Sequence, residues 1–513
     1  MRDRCIRAVL VFSLASTLLS CSAKLDPNTL VVVIESSPTN LDPRVGIDAY
    51  SERIDDLIFD DLLSRGDNLN VAPGLAERWE IPDPLTYVFH LHGGVKFHDG
   101  RPLTSRDVKW TFDSLLQGKI RSTKAGVYKY VAHIEAPDDL TVIFRMKEPD
   151  ATLLWNLSDG AIGIVPYGSG DEMTQQPVGS GPFKFVSAET DREVVLERNA
   201  DYWGGPPKLA RVRFAVVPDA TTRALELRKG SGDVAINSLT PDTVLTLSRD
   251  PKLAVEHSTG TRLAYLGFNL RDPILKDTRV RQAIAYALDR RPMIEYLWRD
   301  EAQPARSLLP EQSWAYNGDV PAYDHNPAKA NALLDAAGYP RVNGVRFHIT
   351  MKTSDDENTR LMVVVMQQQL REAGIALDIR SFEFATFFSD VTHGAFQMYG
   401  LRWIGGNEDP DIFEYAFDSR KFPPNGANRS FYANPRLDQL IDQARREVDP
   451  SARKPLYAEV QRILANDLPY INLWYLDNVL VHTRRVRNLK MNPAGNYDFL
   501  RWAELEHSST QSD

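Results

Sequence analysis

The sequence has little cysteine, no long apolar run beyond its first 21 residues, and none of several short catalytic motifs. Only Cys5 and Cys21 are cysteines among 513 residues. No later stretch approaches the roughly 20 consecutive apolar residues of a membrane-spanning helix. The patterns G-x-S-x-G, H-E-x-x-H, G-x-x-x-x-G-K and C-x-x-C are also missing, so hydrolases with a nucleophile elbow, zincins, P-loop NTPases and thiol oxidoreductases lack their minimum parts. A hydrolytic pair of carboxylates far apart in sequence, as in an exported glycosidase or peptidase, stays open as an alternative.

Positive charge is not in excess either. The chain has 60 basic and 69 acidic residues, a net charge of -9, and no long basic run. This balance argues against binding to a phosphate backbone, and we expect no nucleic-acid partner. With 43% hydrophobic residues the chain can bury large cores, and its length predicts two or three lobes.

The first 21 residues have the pattern of an export signal. Arginines at positions 2, 4 and 7 precede an apolar stretch, Ala8 to Leu19, which is too short to span a bilayer. The tetrapeptide Leu18-Leu19-Ser20-Cys21 resembles a bacterial lipobox. That resemblance implies a lipid on Cys21 and a protein anchored to a membrane in the periplasm, or on the cell surface if the source has no outer membrane. An ordinary cleaved signal is the alternative. Cys5 is removed with the signal and Cys21 carries the lipid, so no cysteine pair remains and no disulfide is expected.

The first element after this segment has the pattern of a buried strand. The segment from Leu30 to Glu35 is apolar up to its last residue, and Ser36-Ser37-Pro38 follows it. Ligands bind at the carboxyl ends of strands in open α/β sheets, so the following loop is a candidate wall of a cleft. Its candidate ligand neighbours are Ile47, Asp48 and Tyr50. A plain connection is the alternative.

The segment from Leu75 to Leu115 has the most specific pattern. Tyr87, Phe89 and Leu91 alternate with polar or smaller residues as in a strand, and glycine turns follow. Thr104, with Asp107 three residues later, predicts a capped helix.

Three histidines in this segment raise the alternative of a metal site. His90 and His92 share one face of the predicted strand, and His98 follows a turn. We predict no metal there, because no acidic or thiol fourth ligand is apparent and strands tolerate half-buried histidines.

The arrangement YxFxLxxGVKFHDGxPxTxxDV in this segment resembles the signature of family 5 extracytoplasmic solute-binding proteins, the dipeptide- and oligopeptide-binding components of ABC importers. Nickel-carrying members exist in that family, which keeps the metal alternative open. Three further blocks agree with the family in order: Gly179 to Phe185, Arg198 to Gly204, and Val280 to Ile284.

A domain boundary is predicted near the middle of the chain. Tyr265 to Asn269 is typical of a short buried strand, and Asp277-Thr278 begins a helix. Beyond it, Val345 to Met351, a helix with Leu361, Val364, Val365 and Leu370 on its apolar face, and Ile375 to Ile379 form a βαβ pattern that indicates a parallel sheet.

The resemblance implies an α/β fold of the periplasmic binding protein type II kind (cluster C), with two lobes, a hinge and an extra small α/β domain. We expect no cofactor, no enzymatic activity and a monomer. The predicted parts are a signal peptide (1–21), lobe I (22–52, 188–270 and 479–506), domain II (53–187), lobe III (271–478) and a tail (507–513).

The same resemblance implies that a peptide-like solute is captured between the lobes and delivered to ABC permease and ATPase subunits. A non-peptide solute, such as a metal chelate, an oligosaccharide or an opine-like compound, is the alternative.

The segment from Leu401 to Phe413 is the predicted ligand contact. In peptide-binding relatives a W-x-x-D sequence supplies an aspartate for the ammonium group of the ligand, and Gly406 stands at that position here. Glu408 is the predicted replacement, whereas Asp409 precedes Pro410 and has the pattern of a helix cap. We therefore expect longer peptides or a cationic solute. The predicted ligand contacts in this half of the cleft are Tyr128, Arg402, Trp403, Gly406, Asn407, Glu408 and Asp409.

Overall fold

A computed structural model describes residues 28–66, 69–158, 162–405 and 408–506. The predicted signal peptide with Cys21, the predicted ligand contacts Gly406 and Asn407, and the tail 507–513 lie outside the described residues. No helix within the described ranges is long and apolar enough to cross a membrane.

The described strands, in chain order, are β1 (Thr29–Ile34), β2 (Leu63–Arg65), β3 (Val71–Pro73), β4 (Ala76–Asp83), β5 (Thr86–Leu91), β6 (Val131–Asp138), β7 (Thr141–Met146), β8 (Phe183–Glu189), β9 (Glu193–Arg198), β10 (Arg211–Val216), β11 (Val234–Ile236), β12 (Leu253–Phe268), β13 (Ala302–Pro304), β14 (Phe347–Ser354), β15 (Ile375–Phe382), β16 (Met398–Trp403), β17 (Tyr470–Thr483), β18 (Val486–Arg487) and β19 (Glu504–Leu505).

The α-helices of the same ranges are α1 (Ala49–Ile58), α2 (Ser105–Leu116), α3 (Leu153–Asn156), α4 (Ala220–Lys229), α5 (Pro241–Leu247), α6 (Thr278–Ala287), α7 (Arg290–Leu297), α8 (Pro327–Ala336), α9 (Glu357–Glu372), α10 (Phe384–Thr392), α11 (Ile412–Phe417), α12 (Pro435–Arg446) and α13 (Pro450–Asp467).

Lobe I is built around β1, whose six residues are all buried. It pairs in parallel with β10 on one side and β11 on the other, and β9 and β8 extend the sheet antiparallel. A strand buried on both faces needs a continuous run of apolar residues, and Leu30 to Ile34 supplies one.

Domain II contains the four-stranded antiparallel sheet β4-β5-β7-β6, with α2 packed against it. The predicted capping box is present, because the backbone N–H of Thr104 donates to Asp107 Oδ2 at 2.7 Å. Phe89, Phe112 and Phe144 meet edge to face in the centre of this core.

Lobe III contains the predicted βαβ unit, since β14 pairs in parallel with β15 and α9 connects them. The predicted buried face of α9 was correct for Leu370 and Val365, which pack against the core, and wrong for the other two residues. Leu361 and Val364 are 50% and 56% exposed, whereas the helix buries a stripe formed by Met362, Val363, Met366 and Leu370. Leu361 to Met366 is apolar on every side of the helix, so its periodicity does not select a face.

The boundaries of domain II differ from the predicted 53–187. Its core extends from Leu62 to Ile164, whereas Ile54 and Ile58 on α1 pack in the core of lobe I together with Phe183. Helix α1 covers the lobe I sheet with its apolar stripe, and the chain enters domain II only after it.

The boundary between lobes I and III also differs from the predicted one, which lay after residue 270. Strands β12 and β17 each run through both lobes in one sheet of 11 strands. Residues Leu263 to Phe268 of β12 already pack in the two cores of lobe III. The chain therefore crosses between the lobes inside β12, before Leu263.

Candidate ligand-binding cleft

The crossing between the lobes is a pair of antiparallel strands with an interrupted register. Strand β12 pairs with β17 up to Ser258 and again from Arg262, with a register shift between these two residues. A Cβ atom on Gly260 would lie 2.2 Å from the carbonyl oxygen of Leu476, so only glycine allows the backbones to approach this closely. Two short crossing segments between separate cores are the geometry of a hinge.

The cleft edge of lobe I is formed where β1 and β11 end. These two strands pair in parallel with each other, so their carboxyl ends meet at one edge of the sheet. Just after β11, Asn237 Oδ1 accepts hydrogen bonds from Arg262 Nη2 (3.1 Å) and from the backbone N–H of Val479 (3.0 Å). Asn237 therefore ties this edge to both crossing strands.

The three residues predicted from the first loop lie at this edge but have different roles. Ile47 is 61% exposed and contacts solvent. Asp48 caps α1 by accepting from the backbone N–H groups of Tyr50 and Ser51. Burial acts to raise the pKa of Asp48, but hydrogen bonds from Ser51 and Thr39 lower it below the usual value. The hydroxyl of half-buried Tyr50 accepts a hydrogen bond from the backbone N–H of Glu35 at 3.2 Å.

The opposite edge lies at the end of β16 in lobe III. Trp403, its last residue, stacks on Tyr265 with ring centres 6.1 Å apart, and the Arg429 guanidinium lies 5.6 Å from its ring centre. The indole Nε1 of Trp403 is buried and has no acceptor among the described residues. Arg402, one position earlier, forms an ion pair with Asp356 at 3.3 Å.

Glu408 joins lobe III to domain II. Its carboxylate is nearly fully buried, pairs with Arg65 Nη1 at 2.8 Å and accepts a hydrogen bond from Thr261 Oγ1 at 2.8 Å. The guanidinium of Arg65 also lies 4.9 Å from the ring centre of Trp155. The sequence led us to expect a carboxylate open to a ligand ammonium, but β2 brings a cation of the same chain to it.

Asp409 is buried next to Glu408 and binds the start of α11. Its Oδ1 accepts from the backbone N–H of Asp411 at 2.8 Å, but α11 begins at Ile412 with Asp411 as its N-cap residue, so Asp409 is not the predicted cap of a helix that starts at Pro410. Burial raises the pKa of Asp409 to about 6, although the nearby Arg453 opposes the shift.

Arginine side chains from both lobes lie close to the crossing. Arg262 on β12 is largely buried, and burial is the main cause that lowers its pKa to about 10. The positive charges of Arg53 on α1 and Arg402 on β16 lower that pKa further, and Asp477 opposes them. Sequence reasoning missed Arg53, Arg65, Thr261 and Arg262, because no local motif marks any of them.

A comparison with protein families identifies the class of protein. The model described as "Bacterial extracellular solute-binding proteins, family 5 Middle" matches residues 70–423, which is more than half of the chain. The chain belongs to this family of solute-binding proteins.

Curated relatives extend the family-5 match over most of the chain. The probable di/tripeptide-binding protein 5 of Pseudomonas aeruginosa is 30% identical over 463 residues, which cover 84% of this chain and 87% of the relative. The dipeptide-binding protein of Escherichia coli is 26% identical over 524 residues, covering 96% and 97%.

Solved structures confirm the predicted fold class. The substrate-binding protein CtaP of Listeria monocytogenes superimposes with a TM-score of 0.84 at 26% identity, over 93% of this chain and 99% of that one. The periplasmic protein DppA of Helicobacter pylori, in complex with the peptide STSA, has a TM-score of 0.74 at 28% identity, over 93% and 98%.

The family-5 sequence blocks meet at the junction of lobe I and domain II. The buried carboxylate of Asp60 accepts hydrogen bonds from Ser180 Oγ (2.8 Å), the Tyr202 hydroxyl (2.9 Å) and Trp203 Nε1 (3.0 Å). His98 lies beside it, with Nε2 3.0 Å from the carbonyl oxygen of Gly181. The blocks 96–100, 179–183 and 199–204 therefore hold lobe I and domain II together.

The three histidines of this region do not converge. His92 packs on the Trp203 ring, His90 lies 3.3 Å from Glu80, and His98 is at the Gly181 carbonyl. Burial lowers the pKa of His98 to about 4. Within the described ranges no group of three or more metal-ligating side chains could hold a metal ion.

Tyr128, predicted as an apolar wall of the cleft, lies in the core of domain II. It is 3% exposed, packs edge to face on Phe112, and its hydroxyl donates to the carbonyl oxygen of Asn156 at 2.7 Å. An aromatic residue in a short 3₁₀ helix, Thr123–Tyr128, gives no periodicity from which to choose between core and cleft.

Proposed function

We propose that this family-5 protein captures a peptide in the cleft between lobe I and lobe III and delivers it to an ABC importer. The observation that carries the proposal is the β12–β17 crossing, which connects two separately packed cores through a short segment with a register shift. The peptide-binding names of several relatives support the ligand class.

Closure follows from contacts that only one arrangement of the lobes provides. A ligand that touches both edges of the cleft stabilises the closed state, because in the open state it can contact only one edge at a time. The closed protein then docks on the permease subunits. Nε1 of Trp403 has no acceptor in the described part of the chain, which supports a role for this residue in the cleft, since a peptide carbonyl would satisfy the donor.

Calorimetry on tri- to pentapeptides, combined with small-angle scattering, tests this function. We expect saturable binding, a more compact particle with peptide and a monomer at every concentration. Trp403→Ala should weaken binding, whereas Trp502→Ala, which changes an exposed tryptophan of lobe I, should leave it unchanged. A folded protein that binds no peptide would contradict the proposal and favour a non-peptide solute.

We also propose a lipid anchor on Cys21 that holds the protein at a membrane. A single diacylated cysteine supplies the apolar chains that give membrane affinity. Cys21→Ser should release the protein into the soluble fraction, and Cys5→Ser is the matched control within the signal. Membrane association that survives Cys21→Ser would contradict the anchor without affecting the peptide proposal.

A further inference from the structure

Helix α10 carries two phenylalanines close to the cleft edge of lobe III. Strand β14 pairs in parallel with both β15 and β16, so the carboxyl ends of β15 and β16 lie at one edge of the sheet. Helix α10 follows β15 directly, and Trp403 ends β16. Phe384 and Phe388, four positions apart, are neighbours on the helix surface, whereas Phe387 is buried in the core of lobe III. The first turns of α10 therefore lie at the same edge of the sheet as Trp403.

These rings are joined to Trp403 through an arginine. Phe384 stacks on Phe388 with ring centres 5.8 Å apart and an angle of 16° between the ring planes. The guanidinium carbon of Arg429 lies 5.2 Å from the ring centre of Phe388 and 5.6 Å from that of Trp403. Phe384, Phe388, Arg429 and Trp403 thus form one aromatic band, in which each member contacts the next.

Arg429 is held by ring faces and not by an acid. In the part of the chain that the structure describes, it forms no ion pair with a carboxylate, and its Nη1 donates to the Tyr265 hydroxyl at 3.4 Å. Its buried Nε has no acceptor in the same ranges. A guanidinium is attracted to the faces of aromatic rings, because the ring quadrupole is negative there. This attraction replaces a salt bridge, so Arg429 holds the rings of Phe388 and Trp403 in position.

The aromatic band ends in a ring that is open to solvent. Phe384 is 53% exposed, although its backbone is fixed at the start of α10. The carboxylate of Glu383 caps that helix by accepting from the backbone N–H groups of Ala385 and Thr386. Because Phe388 covers one side of the Phe384 ring, the exposed part is a surface on which a further ring can stack.

We propose that the aromatic band is a subsite for an aromatic side chain of the bound peptide, which stacks on Phe384. A planar aromatic ring gains from stacking as well as from burial, whereas a saturated ring of similar size gains from burial alone. The inference rests on the proposed peptide-binding function and adds a preference among peptides to it.

Calorimetry with seven tripeptides tests the subsite. Trialanine is the reference, three peptides carry phenylalanine at the first, second or third position, and three carry cyclohexylalanine at the same positions. We expect one phenylalanine peptide to bind about 2- to 10-fold more tightly than its cyclohexylalanine counterpart, which is the contribution of an aromatic pair beyond burial. A pocket that is merely apolar would give the reverse order, since the cyclohexyl group has more apolar surface to bury.

Variants of the aromatic band locate the preference. Phe384→Leu removes the exposed ring and keeps an apolar side chain, so it should abolish the preference for phenylalanine over cyclohexylalanine. Tyr296→Leu removes a 63% exposed ring of α7 in the same lobe, and it is the matched control that should keep the preference. Arg429→Lys retains a cation for the two ring faces and should keep more of the preference than Arg429→Met.

The outcomes separate the subsite from the proposed function. The subsite would be overturned if the wild-type protein preferred none of the three phenylalanine peptides to its cyclohexylalanine counterpart. Full preference in Phe384→Leu would overturn it as well, and either result leaves peptide binding intact. Binding of none of the seven peptides would overturn the proposed function itself.

Discussion

Arg65 Nη1 lies 2.8 Å from Glu408 Oε2, although the two residues are 343 positions apart in the chain. Arg65 ends β2 in domain II, whereas Glu408 lies in the loop after β16 of lobe III. The salt bridge therefore spans two bodies that the hinge allows to separate. It holds lobe III to domain II.

Breaking this bridge should favour the open arrangement. Arg65→Gln leaves the Glu408 carboxylate buried with Thr261 as its remaining described partner, which we expect to cost up to about 3 kcal/mol. The radius of gyration without ligand should rise, and the melting temperature should fall. Arg78 forms an exposed ion pair with Glu80 in the same domain, so Arg78→Gln is the control and should change neither the radius of gyration nor the melting temperature. An unchanged radius in Arg65→Gln would show that other contacts hold the bodies together.

Local features of the fold were predictable because neighbouring residues determine them. Thr104 and Asp107 lie three positions apart, and the hydrogen bond between them is the predicted one. Asp277 likewise caps α6 at the predicted start. The pattern of apolar residues failed where it is uniform, as on α9.

The candidate site was less predictable, because its partners come from distant parts of the chain. Trp403 and Arg402 were predicted from a local segment, but the partner of Glu408 was not. The sequence around an arginine at the end of a three-residue strand such as β2 does not indicate which acid will form a salt bridge with it. The same holds for Arg53, Arg262 and Arg402, which three separate elements bring to the crossing.

Gly260 should be required for closure. A Cβ atom there would lie 2.2 Å from the carbonyl oxygen of Leu476, so Gly260→Ala forces the two crossing strands apart. We expect a destabilisation of about 1–3 kcal/mol and a smaller compaction on peptide binding in small-angle scattering. Gly126→Ala is the matched control, since its new Cβ atom would meet open space. Equal compaction in the two variants would mean that the hinge lies elsewhere.

Asp60 should be a structural residue, because it binds side chains from two of the family-5 sequence blocks. Asp60→Ala leaves three donors, from Ser180, Tyr202 and Trp203, without their acceptor, which should cost about 2–5 kcal/mol. Asp201→Ala changes an exposed acid next to Tyr202 and should cost less than about 0.5 kcal/mol. Chemical denaturation measures both. Should Asp60→Ala keep wild-type stability but lose peptide binding, the residue would belong to the ligand site instead.

The pH dependence of stability should contain a contribution from Glu301. This glutamate lies next to the crossing, where its backbone carbonyl accepts from the N–H of Asp477 at 3.1 Å. Burial, followed by the negative charge of Asp477, raises the pKa of Glu301 to about 7 from an ordinary value of 4.5.

Because the folded protein holds the proton more tightly than the unfolded chain, the stabilisation from protonated Glu301 is complete below pH 4.5. It is lost as the pH rises from 4.5 to about 7. Glu301→Gln keeps a neutral side chain at every pH, so its melting temperature relative to the wild type should rise across this window and then stay constant. Glu295→Gln, at an exposed position of α7, is the control and should show no such trend. A constant difference between Glu301→Gln and the wild type from pH 4 to 8 would place the titration of Glu301 outside this range.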